Sequence, residues 1–252
     1  AKTEMFDFMQ PNAKIILNGD DDKLITVKER EGYEPLYFGL AEGMDAHADN
    51  IQSLSLKGTS CTLYLEGQSF DVTIPIPGHH MVYNALAGAL VGEELGLSAD
   101  EIKIGIESLI PVSGRNNLIE TESLFIIDDC YNANPVSMKA SLDVLATVSG
   151  RKVAILGDMF ELGENEKQLH FEVGEHAAEK GIDLVICIGG LSEETAKGAS
   201  CFDSEVRYFE TKADFLSQAE KFLRKGDTVL VKASHGMGFA EVVEKLQKIT
   251  LR

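Results

Sequence analysis

The sequence predicts an α/β fold in two parts, and three observations carry that reading. From about residue 118 onward, short apolar runs alternate with stretches whose apolar residues fall at helical spacing. In the first hundred or so residues the apolar runs are short, close together and separated by glycine turns. Between the two patterns lies Pro111-Val112-Ser113-Gly114, where neither period continues.

The elements follow in order. Lys14-Ile15-Ile16-Leu17 reads as a strand ending at Asn18-Gly19-Asp20-Asp21-Asp22. Tyr37-Phe38-Gly39, Ile51 to Leu56, Cys61 to Leu65 and Ser69 to Ile74 read as further short strands. Gly58 and Glu66-Gly67-Gln68 supply turns, so the last three form an antiparallel meander. Met81 to Leu95 is a helix rich in small residues, which suits close packing, and Gly96 ends it. Asp100 to Leu109 is a shorter helix with Ser98 as N-cap. Pro111 to Asn117 reads as a linker. Strands then follow near 124–127, 152–156, 183–188, 206–209 and 228–231. Helices are expected near 135–147, 166–180, 192–199, 211–224 and 238–248. These later strands are continuous apolar runs, as parallel strands covered on both faces must be, so the second part is a doubly wound, Rossmann-like domain.

Composition narrows the class. Forty-four per cent hydrophobic residues suffice for a sizeable core in 252 residues. Forty-one acids against 23 bases give a net charge of −18, which argues against nonspecific nucleic-acid binding. A membrane-spanning helix needs about 18 consecutive apolar residues, and no such run exists. Ala1-Lys2-Thr3-Glu4 begins no signal-peptide pattern. The four cysteines, Cys61, Cys130, Cys187 and Cys201, form no Cys-x-x-Cys pair, which fits free thiols in a cytoplasmic protein.

The most informative segment is Asp128-Asp129-Cys130-Tyr131-Asn132-Ala133-Asn134-Pro135. It lies between the strand run Leu124-Phe125-Ile126-Ile127 and a helical run, so two carboxylates and two carboxamides sit at a strand's carboxyl end. Ligands bind there in open α/β sheets. Carboxylates can hold ribose hydroxyls or a metal, and helix N-terminal amides can hold anions. A polar turn with an asparagine cap is the competing reading.

Asp-Asp-x-Tyr-Asn-Ala-Asn-Pro resembles the opening of the C-terminal domain of the Mur ligases. Further segments fall at family-like spacing: Ala1-Lys2-Thr3-Glu4-Met5-Phe6, Leu17-Asn18-Gly19-Asp20-Asp21, Gly78-His79-His80-Met81-Val82-Tyr83-Asn84-Ala85 and Ser113-Gly114-Arg115. Leu156-Gly157-Asp158-Met159-Phe160-Glu161-Leu162-Gly163 and Val231-Lys232-Ala233-Ser234-His235-Gly236-Met237 continue the match. The resemblance implies that residues 1–114 are the later part of a central, ATPase-type domain and 115–252 a C-terminal domain. It implies an ATP- and Mg2+-dependent amide ligase joining D-alanyl-D-alanine to UDP-N-acetylmuramoyl-tripeptide through an acyl phosphate.

The same resemblance assigns roles. Lys2 matches a lysine that becomes carbamylated and then serves as a metal ligand; with Arg115 it is assigned to catalysis. Asn84 matches the residue that reads adenine, and an amide both donates and accepts along a base edge. His80 would polarise phosphate or orient the turn. His80-Met81 stands where many relatives have His-Asn. Arg115 would hold ATP phosphate, for which guanidinium is well suited. Asp129 would bind ribose hydroxyls. Standing at a strand's mouth, it should be removable without loss of folding. Asn134, Asp158 and Glu161 are assigned to substrate, Glu161 to the dipeptide's ammonium. Lys232 and Ser234 would take its carboxylate.

Blander readings stand beside these. Glu161 and Glu164 fit the acidic bias of a first helical turn. Ser234 fits a cap, and His170 a packing residue rather than a base. His235 stands where relatives often carry arginine, which puts an anion-binding role there in doubt. No Gly-x-x-x-x-Gly-Lys-Ser/Thr loop occurs anywhere. The chain therefore reads as a fragment without the phosphate-gripping loop, inactive in isolation. Two alternatives remain: a Mur ligase adding a different amino acid, and a nucleotide- or peptide-binding module.

Overall fold

The computed structural model describes residues 2–10, 12–27 and 34–251, with the backbone alone at Lys2. The chain packs as two units, Ala1–Leu109 and Ile110–Arg252. Each has its own sheet, of five and six strands respectively.

In the first unit the strands run in sequence order: β1 (Ile15–Asn18), β2 (Pro35–Gly39), β3 (Ala46–Ser53), β4 (Thr59–Leu65) and β5 (Gln68–Ile74). β1, β2 and β3 are parallel, and β3, β4 and β5 form the antiparallel meander. Along β4 burial alternates, with Cys61, Leu63 and Leu65 inward and Ser60, Thr62 and Tyr64 outward. That is the period of a sheet packed on one face. α1 (His80–Glu94) covers this face with Val82, Ala85, Leu86, Ala89 and Leu90, and α2 (Ala99–Glu107) with Ile102 and Ile106. Ser98 caps α2 in a reciprocal box with Glu101. β3 begins five residues before the predicted Ile51, because Ala46 and His47 pair with Phe38 and Gly39 of β2. Tertiary pairing there overrides the weak strand propensity of alanine and aspartate.

The second unit comprises β6 (Asn117–Glu120), β7 (Phe125–Asp128), α3 (Pro135–Ala146), β8 (Lys152–Gly157), α4 (Glu166–Glu179), β9 (Leu184–Ile188), α5 (Ser192–Ala199), β10 (Glu205–Phe209), α6 (Lys212–Leu216), β11 (Thr228–Lys232) and α7 (Ala240–Gln247). The strand order is β10-β9-β8-β11-β7-β6, parallel except for β6. β9 and β11 are buried at every position, which explains their unbroken apolar runs. α3, α4 and α5 lie on one face and α6 and α7 on the other. α4 and α5 approach closely: a Cβ at Gly174 would stand 1.9 Å from the Thr195 carbonyl oxygen, and one at Gly198 2.1 Å from that of Phe171.

Two expectations are corrected. The predicted linker ends on the first residue of β6, an unpredicted edge strand whose alternating exposure hid it. The predicted helix over 211–224 stops at Leu216 and resumes only as the 3-10 turn Ala219–Lys221. Ser217 Oγ and Gln218 Nε2 both donate to the Asp214 carbonyl oxygen, offering the backbone an alternative to helix.

The chain steps outward from β8 to β9 to β10, then returns to place β11 between β8 and β7. The helix after β11, α7, lies on the face opposite α3 and α4, which follow β7 and β8. This is a topological switch point, where an open sheet leaves a crevice at its strands' carboxyl ends. Asp128-Asp129, Lys232-Ala233-Ser234 and Gly157-Asp158 stand at those three ends.

Candidate functional site

β11 pairs with β7 so that Val231 lies opposite Asp128, which brings Lys232 to Asp129 across 103 residues of sequence. Lys232 Nζ donates to Asp129 Oδ2 at 2.5 Å, to the Asp129 carbonyl at 3.3 Å and to the Asn132 carbonyl at 3.2 Å. Those three acceptors account for all three ammonium donors. The Asp129 carboxylate also accepts from Ser141 Oγ at 2.6 Å and from the Asn116 amide at 3.1 Å. Lys232 is 3% exposed and Asp129 8%. Both residues, assigned above to ligands, therefore hydrogen-bond within the protein, and Asp129 is buried rather than open at the strand's mouth. Their charges are committed to each other, and the pair ties the β7 and β11 ends together.

Asp128 does the same for the segment before β6. Its Oδ2 accepts from the Gly114 amide at 2.8 Å and from Ser113 Oγ at 3.4 Å. Its Oδ1 accepts from the Cys130 thiol at 3.0 Å. Burial first, and then this carboxylate, push the Cys130 thiol up to about 12. Asp128 thus holds Gly114, Asp129 holds Asn116, and Arg115 lies between them. Both neighbours adopt left-handed backbone, Gly114 at φ +79° and Asn116 at +48°. The Tyr131 amide donates to the Gly114 carbonyl at 2.9 Å. Arg115 is exposed, with its guanidinium carbon 4.0 Å from the centre of the Tyr131 ring. That ring lies 5.6 Å from the ring of His235, which is also exposed. Tyr131, His235, Asp128 and Cys130 are among the residues that line a cleft of about 480 Å³. Asn134 caps α3 in a box with Ser137, with Pro135 in the first turn.

At the β8 end each residue is held in turn. Asp158 Oδ1 accepts from the Ser192 amide and hydroxyl, both at 2.7 Å, and so sits on the first turn of α5. The Met159 amide donates to His170 Nε2 at 2.9 Å, while His170 Nδ1 lies 2.7 Å from the Glu166 carbonyl oxygen. An amide only donates and a carbonyl only accepts, so the proton is on Nδ1 and the ring is neutral. His170 is fully buried and serves packing. The Phe160 amide donates to Ser234 Oγ at 2.8 Å, and the Ser234 amide to the Asp158 carbonyl at 3.0 Å. Ser234 precedes the 3-10 turn His235–Met237, but its side chain makes no cap bond to it. Asp158 and Ser234, assigned above to substrate, are thus both buried and hydrogen-bonded within the protein. Glu161, next in line, is exposed and has φ +62°. A non-glycine residue there carries strain of about 1–2 kcal/mol.

In the first unit, Lys2 opens the 3-10 turn Lys2–Phe8, and its side chain lies outside the described residues. Asn84 is exposed on α1, with Nδ2 donating to Met81 Sδ at 3.3 Å, and His80 is the first residue of that helix. Tyr83 OH donates to Asp20 Oδ2 at 3.0 Å, and the same oxygen accepts from the Leu40 amide at 2.7 Å. Burial, and then Asp20, push the Tyr83 hydroxyl up to about 12. The Asn18–Asp21 motif therefore fastens the start of α1 to β1 and to the end of β2. Among the described residues no group of three or more His, Cys, Asp or Glu side chains converges as a metal cage. No helix among them is long and apolar enough to cross a membrane.

The sequence pattern alone assigns no role to Tyr131. An aromatic residue between two acids and an asparagine at a strand's mouth was the available signal.

Comparison with known proteins adds to this geometry. Residues 1–92 match the Mur ligase middle domain, and residues 114–235 match the glutamate ligase domain of Mur ligases. The chain is 35% identical over 253 residues to the UDP-N-acetylmuramoyl-tripeptide–D-alanyl-D-alanine ligase of Escherichia coli K12, covering 98% of this chain and 55% of that protein. The crystal structure of MurF from Acinetobacter baumannii superposes with a TM-score of 0.87 at 29% identity, over 99% of this chain and 55% of that one. MurF ligase from Thermotoga maritima in complex with ADP gives 0.81 at 26% identity, over 98% and 56%. The chain thus spans about half the length of the relatives it matches.

Proposed function

The chain belongs to the Mur ligase family, and we propose that it forms part of an ATP-dependent ligase that joins D-alanyl-D-alanine to UDP-N-acetylmuramoyl-tripeptide during peptidoglycan synthesis in the cytoplasm. Residues 1–114 are its contribution to the central ATP-binding domain, and 115–252 the C-terminal domain. The peptide carboxylate attacks the γ-phosphate of ATP, giving an acyl phosphate and ADP. The dipeptide amine then attacks the acyl carbon and phosphate leaves. Such a reaction needs cations held in place where negative charge gathers.

One observation in this chain carries the reading: an exposed guanidinium, Arg115, is held at both flanking residues beside the sheet's switch point. Arg115 contacts ATP phosphate. Asn84 reads adenine, with His80 at the same helix start. Glu161 takes the dipeptide's ammonium, and Asn134 stands near substrate while capping α3. The described residues form no metal cage, so Mg2+ would come with the nucleotide phosphates, as Mg2+ commonly does, and no step is routed through it. Lys2, once carbamylated, would be a further ligand for the metal. Residues 1–252 contain no Gly-x-x-x-x-Gly-Lys-Ser/Thr loop, so on this proposal the rest of the ligase would supply the grip on phosphate.

The test is phosphate release by the gene product at its full natural length. Release should require ATP, the UDP-linked tripeptide and D-alanyl-D-alanine together. Residues 1–252 alone should bind ATP weakly and turn over none. Release driven by a single amino acid in place of the dipeptide would move the protein to another branch of the family. Turnover by residues 1–252 alone would refute the division of labour.

A further inference from the structure

The mouth of β7 holds one exposed aromatic ring that the reaction scheme leaves without a task. Tyr131 is 50% exposed, although it follows Asp128, Asp129 and Cys130, all of them buried. Its backbone amide is fixed to the Gly114 carbonyl, and a Cβ on Gly114 would lie 3.3 Å from both the Tyr131 amide and its Cβ. The two chain segments therefore approach closely, with little room for a side chain at Gly114. On that fit the Arg115 guanidinium lies 4.0 Å above the ring centre, while the ring approaches His235 at an angle of 51°. A long side chain on a linker samples many rotamers in water, and ordering it costs entropy. A ring face under a guanidinium removes part of that freedom before a ligand arrives, and the attraction favours the cation without discharging it.

We propose that Tyr131 is a positioning residue: its ring holds Arg115 in one orientation, ready for phosphate, while Asp128 and Asp129 fix the backbone on either side. The acid pair of the motif thereby acts on nucleotide through Arg115 rather than by touching it. The inference rests on the reading of Arg115 as the phosphate contact.

The experiment uses the full-length ligase, with kcat and KM measured separately for ATP and for D-alanyl-D-alanine, and thermal unfolding measured for every variant. Arg115→Ala tests the underlying reading, and it should raise the KM for ATP. Tyr131→Ala should raise the KM for ATP roughly two- to thirtyfold, the range of one cation–π contact, with the KM for dipeptide unchanged. Tyr131→Phe keeps the ring face and should stay within about threefold of wild type. Arg115→Ala/Tyr131→Ala should be no worse for ATP than Arg115→Ala, because the ring has then nothing to orient. If Arg115→Ala leaves ATP use unchanged, the phosphate reading and this inference fall together. If Arg115→Ala weakens ATP use and Tyr131→Ala does not, or if the two losses multiply in the double variant, only the positioning role is overturned. A Tyr131→Phe variant as impaired as Tyr131→Ala would assign the effect to the hydroxyl and likewise overturn it.

Discussion

Two sets of polar side chains stand within a few residues of one another at the carboxyl edge of the second sheet. The inner set is Asp128, Asp129, Asp158, His170, Lys232 and Ser234, all buried and hydrogen-bonded within the protein. The outer set is Arg115, Tyr131, Glu161 and His235, all exposed. The sets alternate along the chain: Arg115 is held by the partners of Asp128 and Asp129, and Glu161 follows three residues fixed by Ser192, His170 and Ser234. The difference teaches that charged residue types at a strand's mouth are not equivalent. Some are the frame, and what the frame presents is the surface available to substrate. Mutations should therefore divide by their effect on stability, with inner changes lowering it and outer changes altering catalysis at constant or higher stability.

The sharpest break would come at the ion pair. Asp129→Ala leaves the Lys232 charge buried without its counter-ion, and such losses cost about 3–5 kcal/mol. Urea unfolding of residues 1–252 should show that drop. Asp129→Asn/Lys232→Met, which removes both charges, should recover most of it, because replacing a buried pair by neutral groups is often close to neutral. A fully stable Asp129→Ala variant would move Asp129 into the outer set and restore it as a nucleotide ligand.

Neighbouring residues test the boundary at finer scale. Cys130 is inner and Tyr131 outer. With its thiol pushed up to about 12, Cys130 stays protonated at pH 8. Its alkylation there should be roughly a thousandfold slower in the native chain than in urea, where an ordinary thiol near 8.5 is partly thiolate. The sign follows from the shift: the native rate should climb with pH well beyond the point where the unfolded rate levels off. Mass spectrometry of iodoacetamide adducts measures both. Rapid native labelling of Cys130 would mean that the motif opens in solution.

His170 gives a smaller loss. His170→Leu leaves the buried Met159 amide without an acceptor, at a cost of ~1–3 kcal/mol. The same change removes one of the holds before Glu161, so the KM for dipeptide should rise along with the loss of stability. Unchanged stability would show that the amide finds another partner.

How much of this division was legible in the sequence depends on what spacing encodes. The strands of the second unit were legible because both faces are covered, leaving continuous apolar runs such as Leu184–Ile188. β6 was not, since an edge strand reads as half loop; nor was the break at Ser217-Gln218, which depends on side chains bonding back to Asp214. The strand ends that form the candidate site were located correctly from the same runs. Which of their residues face inward was not, because it depends on partners far off in sequence. Lys232 meets Asp129 from 103 residues away, and Ser234 meets Phe160 from 74. A motif records that acids are present at a strand's mouth, but the fold alone decides whether their hydrogen bonds are already committed.

The smallest expected effect is also the one whose sign separates the two sets. Glu161 holds φ at +62° with its side chain exposed. Left-handed backbone costs a residue with a Cβ about 1–2 kcal/mol, and glycine escapes that cost while losing ~0.5–1 kcal/mol more conformational entropy on folding. Glu161→Gly should therefore stabilise residues 1–252 by a few tenths to about 1 kcal/mol. Glu161→Ala keeps the Cβ and should bring no gain. Both remove the carboxylate, so in the full-length ligase both should raise the KM for D-alanyl-D-alanine while sparing that for ATP. A glycine variant gaining stability as dipeptide affinity falls is the signature of strain retained for binding, and no inner residue should show it. Equal stability of the two variants would mean that the left-handed conformation is not strained, and an unchanged KM for dipeptide would remove Glu161 from the site.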